Sequence, residues 1–429
     1  MRPKLSFRLS EPPLIEGRRE WSIFLLGAFF VFALSLGWRY YEYSRFVSES
    51  KRFVDADVLI QYTKSKNGRE YEVLKLRTID GLTFYTTSKE PIKDLSGRNI
   101  SILYFPKRVT FADYLSIPFL PSAIVRVNHE RSARMELFEK IKEIHPHPWI
   151  QELYGALFLA LPISKELRER VTLLGASHLL ALSGFHMGLL WFIIYGLLSL
   201  FYRPLQRRFF PWRHRLLDVG AVTILLLGAY LLFTDAPPSL LRAFAMVLTG
   251  WLALLLGVKL LSFSFLALCV VMLVAFLPGL LLSVGFWFSV AGVFFIYQFL
   301  ELAKEWPGWV VFLFLNLWVY LAMLPVVHSI FGTFSIYQLL SIPLTILFSL
   351  FYPLSILLHI AGLGDLLDPF MLELLRLPED AKGIERFTPL WGLILYLALS
   401  FAAVRYRVAL YLQSGFMLLF FLFLVEQVT

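Results

Sequence analysis

The sequence predicts a polytopic α-helical membrane protein that carries a small extracytoplasmic all-β domain, an OB-like barrel. Three observations predict this fold class. The 429 residues are 58% hydrophobic, whereas a soluble domain is usually about 45–50% apolar. Their mean hydropathy is +0.67. The apolar residues form long runs, and about 20 such residues are enough to cross a bilayer. Residues 50–110 instead show short strand-like segments separated by turn signals.

Residues 1–20 are predicted to be a cytoplasmic N-terminus, because Lys and Arg accumulate on the inner side of membrane proteins. The apolar stretch 21–38 follows as an anchor transmembrane helix with aromatic and basic flanks and no small-residue cleavage pattern. The anchor would place the next segment on the outer face. Five basic residues support this orientation: Arg2, Lys4, Arg8, Arg18 and Arg19.

Residues 45–112 are predicted to form the OB-like barrel. Four strands are expected, at 54–63, 70–78, 82–87 and 99–105, with turns at Asn67-Gly68 and Asp80-Gly81. A closed barrel is expected because an open sheet of this size would expose its edges. Residues 113–150 are amphipathic and are predicted to lie at the membrane interface, with a helix near 131–144.

Residues 151–429 are predicted to be a multi-spanning domain. The loop after its first span is rich in arginine from Arg203 to Arg215, which places that loop in the cytoplasm. The short run 262–277 is the segment least suited to cross completely, and the side of the C-terminus stays open. The candidate spans are 172–201, 216–233, 240–257, 261–277, 280–300, 309–330, 335–361, 388–404 and 408–426.

The segment 175–188 places His178, Ser183, Gly184 and His186 inside an otherwise apolar span. Ser183-Gly184 is expected to break the helix, and the two histidines are eight residues apart, about two helical turns. Three interpretations remain open: close helix packing, a metal or proton-relay site, and a break that lines a water-filled passage. Two histidines without a nearby carboxylate are a poor metal set, so no metal or cofactor is expected.

The run from His178 to His186 resembles the signature His-Leu-Leu-Ala-x-Ser-Gly-x-His of the ComEC competence-protein family. Residues 238–246 resemble the family's Pro-Ser-x-x-Arg-Ala-x-x-Met, and residues 285–289 resemble its Gly-Phe-Gln-x-Ser, with Trp287 replacing Gln. Further landmarks at 324–325, 331–335 and 342–343 follow in the same order. The resemblance covers roughly 150–350.

This resemblance implies a channel that passes single-stranded transforming DNA across the bacterial cytoplasmic membrane during natural competence, and not an enzyme. Two departures stand out. The chain has no His-x-His-x-Asp-His motif of the family's metallo-β-lactamase-like domain, and it lacks the family's cysteine pair, since Cys269 is the only cysteine. The expected partners are single-stranded DNA, membrane lipid, a cytoplasmic motor or single-strand-binding protein, an outer DNA receptor and a separate nuclease. A homo-oligomer stays open.

Arg242 follows Pro237-Pro238-Ser239, where a helix is expected to begin. A helix N-terminus combined with an arginine is a natural phosphate contact. Alternatively, Arg242 extends to the membrane interface or pairs with Asp235. We therefore place Asp235 and Arg242 with His178, Ser183, Gly184 and His186 as candidates for the path of the DNA.

The predicted barrel also carries a candidate DNA-binding face, since single strands bind to basic grooves with aromatic stacking surfaces. The alternative is ordinary barrel chemistry, with aromatic residues in the core and lysines in solvent. The candidate residues are Tyr62, Lys64, Lys66, Arg69, Tyr71, Lys75, Arg77, Phe84 and Tyr85.

Two other functions remain open from the residues alone. A transporter of a small molecule or a lipid-linked substrate would share the polar, broken helix without needing the basic and aromatic barrel. An intramembrane hydrolase would use Ser183 with His178 or His186, but the span 172–201 offers no carboxylate to orient the base.

Overall fold

The computed structural model describes residues 17–66, 69–88, 92–93, 95–131, 133–180, 182, 184–255, 257, 261–379, 381 and 383–428. These residues are mostly helical, with a small antiparallel sheet in the N-terminal region. They divide into two compact units. The sheet unit comprises Arg18–Ser164 and Val271–Ser283, and the helical unit comprises Lys165–Val270 and Val284–Thr429.

The sheet unit begins with a long helix that extends the predicted anchor by ten residues at its C-terminal end, before the first strand. The tip of this helix joins the β core, where the Tyr43 hydroxyl donates to the Val109 carbonyl at 2.9 Å. In order, the elements are α1 (Arg18–Ser48), β1 (Arg52–Lys66), β2 (Arg69–Thr78), β3 (Thr83–Ser88), β4 (Arg98–Tyr104), a 3₁₀ turn (Pro106–Arg108), α2 (Phe111–Leu115), β5 (Ser122–Arg131), α3 (Ala133–Ile144), α4 (Pro148–Leu159) and a 3₁₀ turn (Pro278–Leu282).

The described strands β1 to β5 form one sheet in the order β3-β2-β1-β4-β5, with antiparallel neighbours. A parallel bridge between Tyr85 of β3 and Phe119, just before β5, connects the two ends of the sheet. It consists of hydrogen bonds of 2.8 Å from the Tyr85 amide to Pro118 and from the Leu120 amide to Tyr85. Alternate residues of each strand point inward, so the core includes Leu74, Leu76, Phe84, Ile100 and Ile102.

The structure confirms the four predicted strands to within a few residues and adds a fifth, β5, beyond the predicted domain end at residue 112. β5 was missed because its outward positions, such as Arg126 and Asn128, made the segment 113–150 resemble a polar interfacial stretch. The amphipathic helix predicted near 131–144 is present as α3. The helix α4 that follows is largely buried.

From residue 165 onward the elements are helices, 3₁₀ turns and two short strands. The elements are α5 (Lys165–Leu173), α6 (Ser177–Leu180), α7 (Gly184–Phe209), α8 (Arg215–Phe233), α9 (Pro238–Leu255), α10 (Phe263–Phe276), α11 (Val284–Leu302), α12 (Gly308–Val327), β6 (Thr333–Phe334), a 3₁₀ turn (Ile336–Leu340), α13 (Ser341–Ile360), a 3₁₀ turn (Gly364–Leu367), α14 (Asp368–Arg376), β7 (Ile384–Glu385), α15 (Leu390–Ala403) and α16 (Arg407–Val428).

Across the described residues, eight helices are long and apolar enough to cross a membrane. The predicted span 172–201 is wrong at both ends, because the long helix runs from Gly184 to Phe209 and residues before it form α5 and α6. The 14-residue α10 is shorter than a full crossing, as the sequence indicated, and so is the 14-residue α15, which the sequence did not indicate. The eight helices are α1, α7, α8, α9, α11, α12, α13 with the turn before it, and α16.

Polar side chains inside the helical bundle bond to one another. Gln298 of α11 and Gln413 of α16 are buried and exchange two amide hydrogen bonds of 2.8 and 3.1 Å. The buried Tyr396 hydroxyl of α15 donates to the Ala322 carbonyl of α12 at 2.8 Å. In an apolar environment such bonds satisfy groups that lipid cannot. These residues therefore hold α11, α12, α15 and α16 together.

Candidate functional site

The histidine-bearing segment is a broken helix, as predicted. α6 ends at Leu180, Leu182 is not helical, and α7 begins at Gly184. Ser183 lies outside the described residues. A break of this kind at membrane depth needs protein or water beside it, because the backbone groups that leave the helix must still be hydrogen-bonded.

The turn that leads into α6 requires a glycine at position 175. Gly175 has a φ of +68°, in the left-handed region that favours glycine. A Cβ at this position would lie 3.0 Å from the Gln338 carbonyl oxygen and 3.1 Å from the Ser341 Cβ. The Gln338 amide also fixes the turn, since Nε2 donates to the carbonyls of Thr172 at 3.2 Å and Thr333 at 3.1 Å.

His178 lies on α6 with both ring nitrogens hydrogen-bonded while much of its side chain remains exposed. Nδ1 is 3.0 Å from the Gly175 carbonyl, and Nε2 is 3.0 Å from the Thr345 hydroxyl of α13. The Thr345 hydroxyl is also 2.7 Å from the Ser341 carbonyl. It has one proton, so it donates either to Ser341 or to His178. When it donates to His178, Nε2 accepts, Nδ1–H donates to the Gly175 carbonyl and the ring is neutral.

His186 lies in a different environment, which disagrees with its predicted role as a residue that lines the DNA path. Its side chain is 0% exposed and lies among aromatic rings, with centroids 5.0 Å from Phe348 and 5.1 Å from Tyr352. It shares a hydrogen bond with the backbone of Leu179. In this conformation His186 therefore links α6 to α7 across the break and does not border open space.

Gly184 and Gly188 do border open space. Both are exposed, and a Cβ added at either would meet no atom within 4 Å. They are four residues apart, so they share a face of α7 directly after the break. The described chain therefore leaves this face of α7 uncovered.

Asp235 lies in the turn between α8 and α9 and is half-buried. Asp235 and Ala236 have positive φ angles of 61° and 46°, which are strained for residues with a side chain. Burial is the only influence found on the charge of Arg242, and no carboxylate acts on it in the described chain. The structure therefore gives no support to the pairing alternative.

Arg242 is a buried cation without a counterion in the described chain. Its residue exposure is 8%, and its Nε is buried with no hydrogen-bond partner among the described residues. Its guanidinium faces Gly285, where an added Cβ would lie 3.2 Å from Nη2. An unpaired charge in such a place costs several kcal/mol of desolvation, and an anion beside it would offset that cost.

The surroundings of Arg242 add to the positive field. α9 begins at Pro238, one turn before Arg242, and α11 begins at Val284, next to Gly285. The N-terminus of a helix carries a partial positive charge and free backbone N–H groups. Arg242 therefore lies close to the starts of two helices, and a helix start beside a cation favours an anion such as phosphate.

In the sheet unit, six of the nine candidate DNA-binding residues have described side chains on the outward face. The register pairs Lys64 with Tyr71 and Lys75 with Tyr85 across neighbouring strands. The Lys75 ammonium is 5.8 Å from the Tyr85 ring centroid, and burial lowers the pKa of Lys75. The six are Tyr62, Lys64, Tyr71, Lys75, Arg77 and Tyr85, and the side chains of Lys66 and Arg69 lie outside the described residues.

Phe84 is the exception, and its position disagrees with its predicted place on the DNA-binding face. Its side chain is 0% exposed and belongs to the core, 5.5 Å from Tyr104 between ring centroids. Strand residues alternate between the two faces, so Tyr85 and Phe84 cannot both point outward. Phe84 stabilises the sheet and is not available to stack on a base.

Comparison with known proteins identifies the helical unit. The family model described as "Competence protein" matches residues 161–427, which is more than half of the chain. The chain belongs to the competence protein family. Neither the curated proteins nor the solved structures provide a match. With its eight candidate spans, this competence protein is a multi-pass membrane protein.

Several residues of this competence protein's site were not singled out by the sequence. Thr345 binds His178, Tyr352 packs on His186, and Gly285 makes room for Arg242. Gly285 lies inside the recognised motif at 285–289, and that motif was the sequence signal that could have singled it out. Thr345 and Tyr352 are 167 and 166 residues from their partners in sequence, and no local pattern predicts such contacts.

Proposed function

We propose that this competence protein is a channel that passes one DNA strand across the bacterial cytoplasmic membrane. The observation that carries the proposal is Arg242, a buried guanidinium without a counterion between the starts of α9 and α11. A phosphate of the passing strand would supply the missing negative charge. The family match supports a role in DNA uptake.

A single strong phosphate contact along the path fits conduction of a DNA strand better than many strong contacts would. A polymer must bind well enough to enter and weakly enough to move on. As each phosphate leaves Arg242 the next one arrives, so the cation is neutralised repeatedly at little net cost. The open space beside Gly184 and Gly188, and the exposed His178, are the further positions that we assign to the path.

We infer that the sheet unit is an OB-like barrel that meets the incoming strand. The order β3-β2-β1-β4-β5 supports this inference, and so does the parallel bridge between the ends of the sheet, because such a bridge closes five strands into a barrel. The outward row of basic and aromatic residues provides phosphate contacts and stacking surfaces together. In this account its affinity for DNA falls as salt rises.

The topology that we propose has the N-terminus in the cytoplasm and the barrel on the outer face, as the positive-inside rule favours. A passive channel cannot drive a strand uphill. A cytoplasmic motor or single-strand-binding protein would pull the strand, an outer receptor would deliver it, and a separate nuclease would remove its complement. We assign no catalytic residue to this chain.

The two alternatives receive less support. The hydrolase would need a carboxylate to orient its histidine, whereas the partners of His178 are a carbonyl and a hydroxyl. A transporter of small molecules would not use an outward row of basic and aromatic residues on the sheet unit. A transported phosphorylated molecule would use Arg242 equally, so the function has to be tested on DNA itself.

The test follows labelled duplex DNA in competent cells with and without the gene. We expect the deletion to abolish label in the cytoplasm while leaving surface-bound label unchanged, because only the crossing step is lost. Restoring the gene in trans should restore cytoplasmic label. Unchanged cytoplasmic label in the deletion would reject the channel, and loss of both labels would assign the protein to capture instead.

A further inference from the structure

A second basic site lies far along α7 from the helix break, where α7 ends and α8 begins. It is an open surface cavity of about 530 Å³, and its basic lining residues are all exposed. Its basic lining consists of Arg203, Arg207, Arg213, His214 and Arg215. Residues 203–215 include no Asp or Glu. The cavity is therefore a concentration of positive charge that DNA conduction beside Arg242 does not use.

One of these arginines is already paired. Arg213 binds Asp218 through two hydrogen bonds, Nε to Oδ2 at 2.8 Å and Nη2 to Oδ1 at 2.5 Å. The Tyr202 hydroxyl also donates to Asp218. The backbone carbonyl of Arg213 accepts from the Gln206 amide at 2.5 Å. This network fixes the loop between α7 and α8 and gives the cavity a defined wall.

The other three arginines have no such partner. In the described part of the chain, the side chains of Arg203, Arg207 and Arg215 form no ion pair. Arg215 is also the first residue of α8, so the positive end of that helix adds to their field. Three guanidinium groups around one cavity fit a ligand with one or two phosphate groups.

The apolar residues around the cavity indicate where such a phosphate would come from. α7 and α8 are both long and apolar enough to span a membrane, so their junction lies at a membrane surface. Phe209, Phe210 and Trp212 are exposed beside the arginines, with Trp212 76% exposed. Aromatic side chains of this kind sit at the headgroup level of a bilayer. Basic pockets between spanning helices bind anionic headgroups.

We propose that this cavity binds the headgroup of an anionic phospholipid, with Arg203, Arg207 and Arg215 contacting its phosphate and the exposed aromatic residues contacting its acyl chains. The site is concave and lies between two spanning helices, which suits a lipid better than a folded protein partner. The lipid would hold the α7–α8 junction and so fix the C-terminal end of α7, the helix that begins at the break. The proposal is independent of what passes beside Arg242.

The test uses the purified full-length protein in nanodiscs of defined composition. We expect phosphatidylglycerol or cardiolipin to raise its melting temperature relative to phosphatidylcholine, and native mass spectrometry to show retained anionic lipid. The triple variant R203Q/R207Q/R215Q should lose that rise and retain anionic lipid about tenfold less, because it removes the guanidinium groups that would contact the lipid phosphate in the cavity. Inorganic phosphate and glycerol phosphate are tested in phosphatidylcholine nanodiscs.

A matched control is R208Q/R405Q/R407Q, which removes three exposed basic residues that do not line the cavity. It should keep both the rise and the retained lipid. Equal retention by the two triple variants would overturn the proposal, as would an equal rise with soluble phosphate alone, which would indicate a free-anion site. If the first triple variant does not fold, the single variants R203Q and R215Q are measured against R208Q by the same two readouts.

Discussion

Replacing Arg242 with methionine is expected to lower the number of transformants by about 100-fold, because losing one partner of a buried charge contact costs about 2–5 kcal/mol. Methionine keeps an unbranched apolar chain of similar length. The same substitution should leave the melting temperature unchanged or raise it, since the native guanidinium is buried without a counterion in the described chain. Transformants per viable cell and thermal unfolding of the purified protein measure the two effects.

The control is Arg405→Met, which removes an exposed arginine in the turn between α15 and α16. It should transform normally. Normal transformation by the Arg242 variant at normal protein level would remove Arg242 from the DNA path. A marked fall in its melting temperature would instead show that Arg242 has a structural role.

Substituting alanine for Gly175 should destabilise the helical unit by roughly 3 kcal/mol and abolish transformation. The added Cβ would stand 3.0 Å from the Gln338 carbonyl oxygen, and the φ of +68° is unfavourable for alanine. The turn holds His178 in place through the Gly175 carbonyl. Thermal unfolding, with protein level in the membrane, measures the effect.

Gly196→Ala is the matched control, because a Cβ at Gly196 meets no atom within 4 Å and the residue lies in regular helix. It should keep stability and transformation close to the native level. If both glycine variants behave alike, the turn at Gly175 does not have the importance that its geometry assigns to it.

Much of the fold could be predicted from the sequence because its signals are local. Long apolar runs predicted most spanning helices, and turn residues such as Asp80-Gly81 delimited the first four strands. The sequence failed where tertiary contacts decide the structure. β5 is a strand because β4 pairs with it, and the run that begins at 172 is divided because Gly175 turns against Gln338.

The site was predicted in part. The sequence predicted the break before Gly184 and singled out Arg242, because polar and charged residues are costly in an apolar segment. Equal roles for His178 and His186 did not hold, because the break turns one histidine outward while Phe348 and Tyr352 enclose the other. A helical spacing rule applies only within a continuous helix, so the spacing of eight residues could not reveal this difference.

The central claim is that a DNA strand travels beside the start of α9 and the first turns of α7. The most direct test places photoreactive side chains at Ser239 and at Gly188. It uses cells that hold a DNA strand stalled by a bulky protein on its trailing end. A matched position is Leu225, an exposed apolar residue of α8. We predict crosslinks to DNA from Ser239 and Gly188 and none from Leu225. Crosslinks from Leu225 alone, or from none of the three while Tyr85 of the sheet unit crosslinks, would contradict the account.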